Sequence, residues 1–420
     1  MKLIRRSLPI GLCFLLTAGA LGQNGNNSGT GLAPERLARI GAVMNEHVAK
    51  GRIAGAIGLI ARRGKVGYFE TYGFQDKEAA IPMREDTIFR MYSMTKPITG
   101  VAVLLLYEEG KFFLTDPVSK YLPEFASMKV SVVENDSETG KVVRAVPAKR
   151  QITILDLLRH TSGIDYRGPR DADGKFIYEK IGTNNLDQTI GEMVKKIAQS
   201  PLVHEPGTLW EYGLSMDVLA RLVEVVSGKT YDKFLEERIF KPLAMLDTGY
   251  NVPPDKASRF ARLYAPDGQS IKPSTAPAQS AYLKPAVNFG GGSQLVSTIR
   301  DYLRFCQMLL NGGELDGVRI LSRKSVELMS ADHLGDMPRG ADLMGPGYGF
   351  GLTVAVSRGV GRSGAAGSAG EYYWGGAAGT RFWIDPKEQM IGIFMIQILP
   401  HTNLTYGSQF RQLAYQAISD

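Results

Sequence analysis

The chain has 420 residues, 44% of them hydrophobic and 22% charged, enough apolar material to bury a large core in one or two packed domains. That balance excludes a mainly disordered, collagen-like or coiled-coil protein. The formal charge of +7 falls to +4 once Lys2, Arg5 and Arg6 of a leader are set aside. What remains is scattered, with Arg62, Arg63 and Lys65 as its densest group, whereas nucleic-acid binding needs a basic stripe.

The leader comes first along the chain. Lys2, Arg5 and Arg6 precede an apolar run of 14 residues, Leu8 to Leu21, and small residues follow at Ala18-Gly19-Ala20 and Ala20-Leu21-Gly22. This is the plan of a signal peptide over residues 1–22. It predicts a periplasmic or secreted protein, and the run is too short for stable membrane insertion. Cys13 falls in the leader, so Cys306 is the one cysteine of the mature chain and no internal disulfide is expected.

Pro34 opens a predicted helix with Leu37, Ile40, Val43 and Val48 along one side. Ala54 to Ala61 reads as a strand, Arg63-Gly64 as a turn and Val66 to Tyr72 as a returning strand. A helix starts near Ser93, because Pro97 is tolerated only in a first turn. Thr153 with Asp156 makes a capping box, and helices are predicted at Ile190 to Ala198, Met216 to Val226 and Tyr231 to Ile239. Val132 to Lys149, with a turn at Glu138-Thr139-Gly140, and Ala265 to Pro285 read as loops. Ser297 caps a further helix that carries Ile299, Tyr302, Leu303 and Cys306. Strands are predicted over Phe350 to Val356, Thr380 to Asp385 and Met390 to Gln397, and a last helix over about residues 405–418. The expected fold is α/β (α+β): an antiparallel sheet flanked by helices, formed by residues 32–92 and 288–420. A mostly helical domain, 93–287, is inserted in it.

The five histidines are dispersed and no cysteine pair exists, so neither a metal site nor a cofactor is expected. Gly359, Gly361 and Gly364 form Gly-x-Gly-x-x-Gly without the strand and helix a nucleotide cradle requires. The chemistry points instead to Ser93-Met94-Thr95-Lys96. Residues three apart share a helical face, so the Lys96 ammonium reaches the Ser93 hydroxyl and can help activate it. His160 is read as structural.

These residues resemble the Ser-x-x-Lys motif of serine β-lactamases and penicillin-binding proteins, in particular the class C-like branch. His160-Thr161-Ser162-Gly163 is similar to that branch's His-Thr-Ser-Gly segment, and Pro206-Gly207-Thr208 with Tyr212 to its turn and tyrosine. Gly290-Gly291-Gly292 resembles the glycine turn. Trp374-Gly375-Gly376 stands where the family has Lys-Thr-Gly. Two departures point to one branch: Leu214 replaces the asparagine of Tyr-x-Asn, and Trp374 replaces the lysine. Both make the site more apolar, and both look like the family VIII carboxylesterases.

The resemblance implies an exported serine hydrolase that cleaves carboxylic esters of short to medium acyl chains through an acyl-enzyme on Ser93. Lys96 and Tyr212 would share the proton, either one being the base. The Ser93 and Ala377 N–H groups would hold the oxyanion, and Trp374, Gly375, Gly376 and Trp210 would bind substrate. A small-molecule ester is the expected partner. The alternatives are a β-lactamase or D-amino-acid peptidase, an acyltransferase, or a catalytically silent cell-wall binding protein of the same fold.

Overall fold

The computed structural model describes residues 29–420 apart from 137–139, 172, 341–342 and 402–404, so the leader and the Glu138-Thr139 turn lie outside the described residues. Helix α1 (Pro34–Ala49) buries Leu37, Ile40, Met44 and His47, spaced three and four apart. Val43 and Val48 only flank that face, half-buried. Strands β1 (Gly55–Arg62) and β2 (Lys65–Asp76) form a hairpin, and β3 (Ile81–Pro82) extends it. Every residue of β1 is buried, as a strand covered on both faces must be.

Helix α2 (Thr95–Glu108) is buried at every position from Thr95 to Leu106. The predicted loop at 132–149 is instead a β-hairpin, β4 (Lys129–Asp136) with β5 (Gly140–Pro147). Its strands are largely solvated, so polar residues occupy both faces and the sequence lacks the alternation of a half-buried strand. Helices α3 (Ile154–Leu158), α4 (Ile190–Gln199), α5 (Ser215–Ser227) and α6 (Tyr231–Leu235) follow, and α5 ends at Gly228 as expected. Within 265–285 there is also more order than expected: a short hairpin, Tyr264–Asp267 with Ser270–Pro273, and one helical turn, Ala278–Ala281.

Helix α7 (Ile299–Leu310) is capped by Thr298 and not by Ser297; Thr298 Oγ1 accepts from the Asp301 N–H, while Ser297 Oγ pairs with Thr248. The single strand expected over 350–356 is two strands, β6 (Tyr348–Phe350) and β7 (Ala355–Ser357), because the chain reverses between them at Gly351 with Thr353 at φ 78°. A strand that the sequence did not reveal, β8 (Tyr372–Gly375), follows, then β9 (Arg381–Asp385), β10 (Met390–Met395) and helix α8 (Tyr406–Tyr415).

Among the described residues these strands build one antiparallel eight-stranded sheet in the order β6-β7-β8-β9-β10-β1-β2-β3. Side chains alternate across it: Phe382 packs on Tyr302 of α7, and the next residue, Trp383, packs on Phe410 of α8. Helices thus cover both faces. No helix among the described residues is long and apolar enough to cross a membrane.

Candidate active site

Ser93 lies on a single 3-10 turn, Tyr92–Met94, that leads directly into α2. The turn is pinned from three sides. Met91 O accepts from Thr380 Oγ1, Met94 O accepts from Tyr302 OH at 2.9 Å, and Thr95 Oγ1 accepts from the Leu295 N–H. Tyr92 takes φ 45°, a left-handed conformation costly for a side chain this large. The nucleophile candidate is therefore held by an over-determined turn.

One turn on, Lys96 is fully buried and is the one charged side chain among the buried residues of α2. Its ammonium donates to Ser93 Oγ at 3.2 Å, to Tyr166 OH at 3.1 Å and to the Gly292 carbonyl at 2.7 Å, and it stands 4.6 Å from the Tyr212 ring centroid. Burial works against the ammonium, but Tyr166 and Tyr212 outweigh it and hold Lys96 above the usual lysine range. Tyr212 is fixed in turn by Trp374, whose Nε1–H donates to its hydroxyl at 2.9 Å.

The segment carrying Tyr212 is sewn to the His-Thr-Ser-Gly loop. Val203 N–H donates to Gly163 O, Gly207 N–H to Thr161 O and Glu211 N–H to His160 O. Beneath them Asp156 closes the predicted capping box and binds Arg150, Arg159 and Thr161. Burial raises its carboxyl, yet the bonds from Arg150 and Thr153 win and take it down to about 2. His160 is buried against Tyr212 and Phe350, and burial together with Lys96 drives it well below its ordinary range, so the ring is neutral.

Gly291 has no room for a side chain: a Cβ there would stand 2.2 Å from Met216 O. The close approach sets Gly292 O on Lys96 and Gly292 N–H on Asp217, whose carboxyl burial lifts to about 6 against the pull of Lys96.

A cavity of about 400 Å³ opens at Ser93. Ser93, Tyr212, Trp374, Gly375, Gly376 and Ala377 all line it. Trp374 and Gly375 end β8, and Ala377 sits in the turn that joins β8 to β9. Gly376 lies so close to the nucleophile turn that a Cβ would come within 2.3 Å of Met91 O. Neither Ser93 N–H nor Ala377 N–H is bonded to backbone among the described residues. Trp210, expected to wall the cavity, is fully buried behind Tyr212 and stacks on it at 5.9 Å, because Phe350 and His160 close over it. Sequence reasoning missed Tyr166 and Asp217, and Arg381, which begins β9 and also lines the cavity. For Asp217 there was a signal: an acid among Met216, Val218, Leu219 and Ala220 on an apolar helix. For the other two there was none.

Among the described residues no group of three or more His, Cys, Asp or Glu is placed to hold a metal ion. A family model, that of the β-lactamases, matches residues 40–416. The chain belongs to the β-lactamase family. Within it, Protein Rv1367c of Mycobacterium tuberculosis is 35% identical over 86% of this chain and 89% of its own. Esterase EstB of Burkholderia gladioli is 31% identical over 84% of this chain and 88% of its own. The solved structure of EstCE1, described as a hydrolase with promiscuous acyltransferase activity, superposes with a TM-score of 0.77 at 27% identity, over 92% of this chain and 99% of that one. This chain is a serine hydrolase of the β-lactamase fold.

Proposed function

We propose that the protein hydrolyses carboxylic esters of short to medium acyl chains through an acyl-enzyme on Ser93. The observation that carries this reading is the Ser93–Lys96 contact at 3.2 Å, at the mouth of a cavity that Tyr212 and a free Ala377 N–H also line. Ser93 Oγ attacks the acyl carbon. Its proton passes to Tyr212 acting as a phenolate, whose charge the Lys96 ammonium balances, and the phenol so formed then gives that proton to the departing alcohol. The N–H groups of Ser93 and Ala377 hold the oxyanion. Water enters by the same route and frees the acid. The apolar indole of Trp374, standing where a lysine would pair with a β-lactam carboxylate, supports an ester over an antibiotic, as does the likeness to a named esterase. The leader supports an exported enzyme. In the same reading residues 32–92 and 288–420 form one unit and 93–287 an insertion, with the reaction at their seam.

The test is release of p-nitrophenol from its acetate, butyrate and octanoate beside a chromogenic cephalosporin. Turnover of esters, slower turnover of the lactam and loss of both in Ser93→Ala is the expected result. Preference for the cephalosporin makes the protein a β-lactamase. Inactivity of a folded wild type leaves a binding protein. Faster acyl loss on adding an alcohol identifies a transferase, the activity in EstCE1's description.

A further inference from the structure

The cavity that opens at Ser93 continues past Trp374 to Arg381 on β9 and to Gly407 and Ser408 at the start of α8. Arg381 pairs across the sheet with Gly375, and a Cβ on Gly407 would stand 3.5 Å from Arg381 Cδ. The long side chain thus runs between two positions that carry no side chain. Its guanidinium lies 4.9 Å from the Tyr373 ring centroid and donates through Nη1 to a neutral hydroxyl, Ser408 Oγ, at 3.0 Å.

Several other half-buried or buried arginines of this protein are matched to acids: Arg62 to Glu388 and Asp420, Arg259 to Asp247, Arg411 to Glu371. Buried Arg90 has no acid, but its donors are taken up by the Ala261, Ala278 and Gln279 carbonyls and by Gln397. Among the described residues Arg381 has no carboxylate partner and no Asp or Glu lines the cavity. A guanidinium is always charged and offers five N–H donors in a fork that fits a carboxylate. On a wall shared with the nucleophile, that fork is available to substrate.

We infer that Arg381 seats a free carboxylate on the substrate, which makes the substrate an ester that is neutral at the scissile bond and anionic at its far end. The inference rests on the ester reading. It also accounts for the Trp374 replacement: the lysine that the family keeps at that position is absent, and a cation stands further along the cavity.

Two matched pairs of esters test it. Mono-p-nitrophenyl glutarate against p-nitrophenyl butyrate places the carboxylate on the acyl half; p-acetoxybenzoate against phenyl acetate places it on the alcohol half. In at least one pair, the charged-to-neutral ratio of kcat/KM is expected to fall about tenfold to a hundredfold in Arg381→Gln. Arg381→Lys should keep part of the ratio. In the wild type the same ratio should fall as salt is raised, which reads the charge even if Arg381→Gln does not fold. Ratios that move with neither substitution nor salt overturn the inference. If wild type cleaves none of the four esters, the ester reading has failed, and monomethyl glutarate titrated calorimetrically into Ser93→Ala decides the arginine separately. Heat that disappears when Arg381→Gln is added supports the seat; equal heat, or none in either protein, overturns it.

Discussion

The two walls of the cavity are built on opposite plans. On the inner wall the polar groups around Ser93 are tied to one another: Lys96 donates to Ser93, Tyr166 and Gly292, Trp374 donates to Tyr212, and Gly292 N–H rests on Asp217. The outer wall holds the Gly376–Gly379 turn, an exposed Ala377 and an arginine with one neutral partner, beside Leu399 and Tyr406. A closed network cannot adapt to different substrates, but it needs no reorganisation when charge moves within it. A wall with spare donors can be retuned by a single substitution. On the proposed function, chemistry is fixed on one side and selectivity is left to the other.

Removing the cation of the inner wall should break this contrast most severely. Lys96→Met is expected to lower kcat by about a thousandfold or more with the fold intact by circular dichroism. Asp217→Asn comes next. Ionised above its pKa of about 6, Asp217 supplies the charge behind Lys96; protonated below it, Asp217 does not. Wild-type kcat/KM should therefore fall as pH drops through 6. The asparagine variant, which mimics the protonated form, should lack that limb and run roughly tenfold slower at pH 8. Trp374→Phe keeps the ring but removes the donor to Tyr212, and about a three- to tenfold loss in kcat is expected. The smallest effect on chemistry lies beneath the wall. With a folded pKa of about 2 against 3.8 unfolded, Asp156 stabilises the fold fully above pH 3.8, and the contribution fades as pH falls toward 2. Urea unfolding of Asp156→Asn should show a loss of about 2 kcal/mol at pH 7 that shrinks steadily below pH 4.

Ser93 and Lys96 were legible because their spacing is itself the chemistry: three residues on a helix put hydroxyl and ammonium in reach. The capping box at Thr153 and the stop at Gly228 were legible for the same local reason. Tyr212 was found through resemblance alone, since nothing in its neighbours fixes where its hydroxyl points. Trp210 was misplaced because its cover comes from Phe350, far along the chain. Tyr166 and Arg381 went unseen because a loop tyrosine and a strand arginine acquire meaning only when the sheet sets them beside the cavity. Strand β8 stayed hidden because its four residues, two of them tyrosines and one a glycine, carry no period.

The seam between β1 and β10 has a consequence for how the molecule comes into being. Ile57 pairs with Met395, partners roughly 340 residues apart in the chain. During synthesis the first hairpin is made early and then waits, one edge bare, until nearly the whole polypeptide has followed it. Closing a loop of that length is entropically costly before any contact rewards it. The slow step in acquiring the native state should thus be the arrival of the C-terminal strands, and a chain cut short before residue 390 would present the edge of β1 to whatever strand it met.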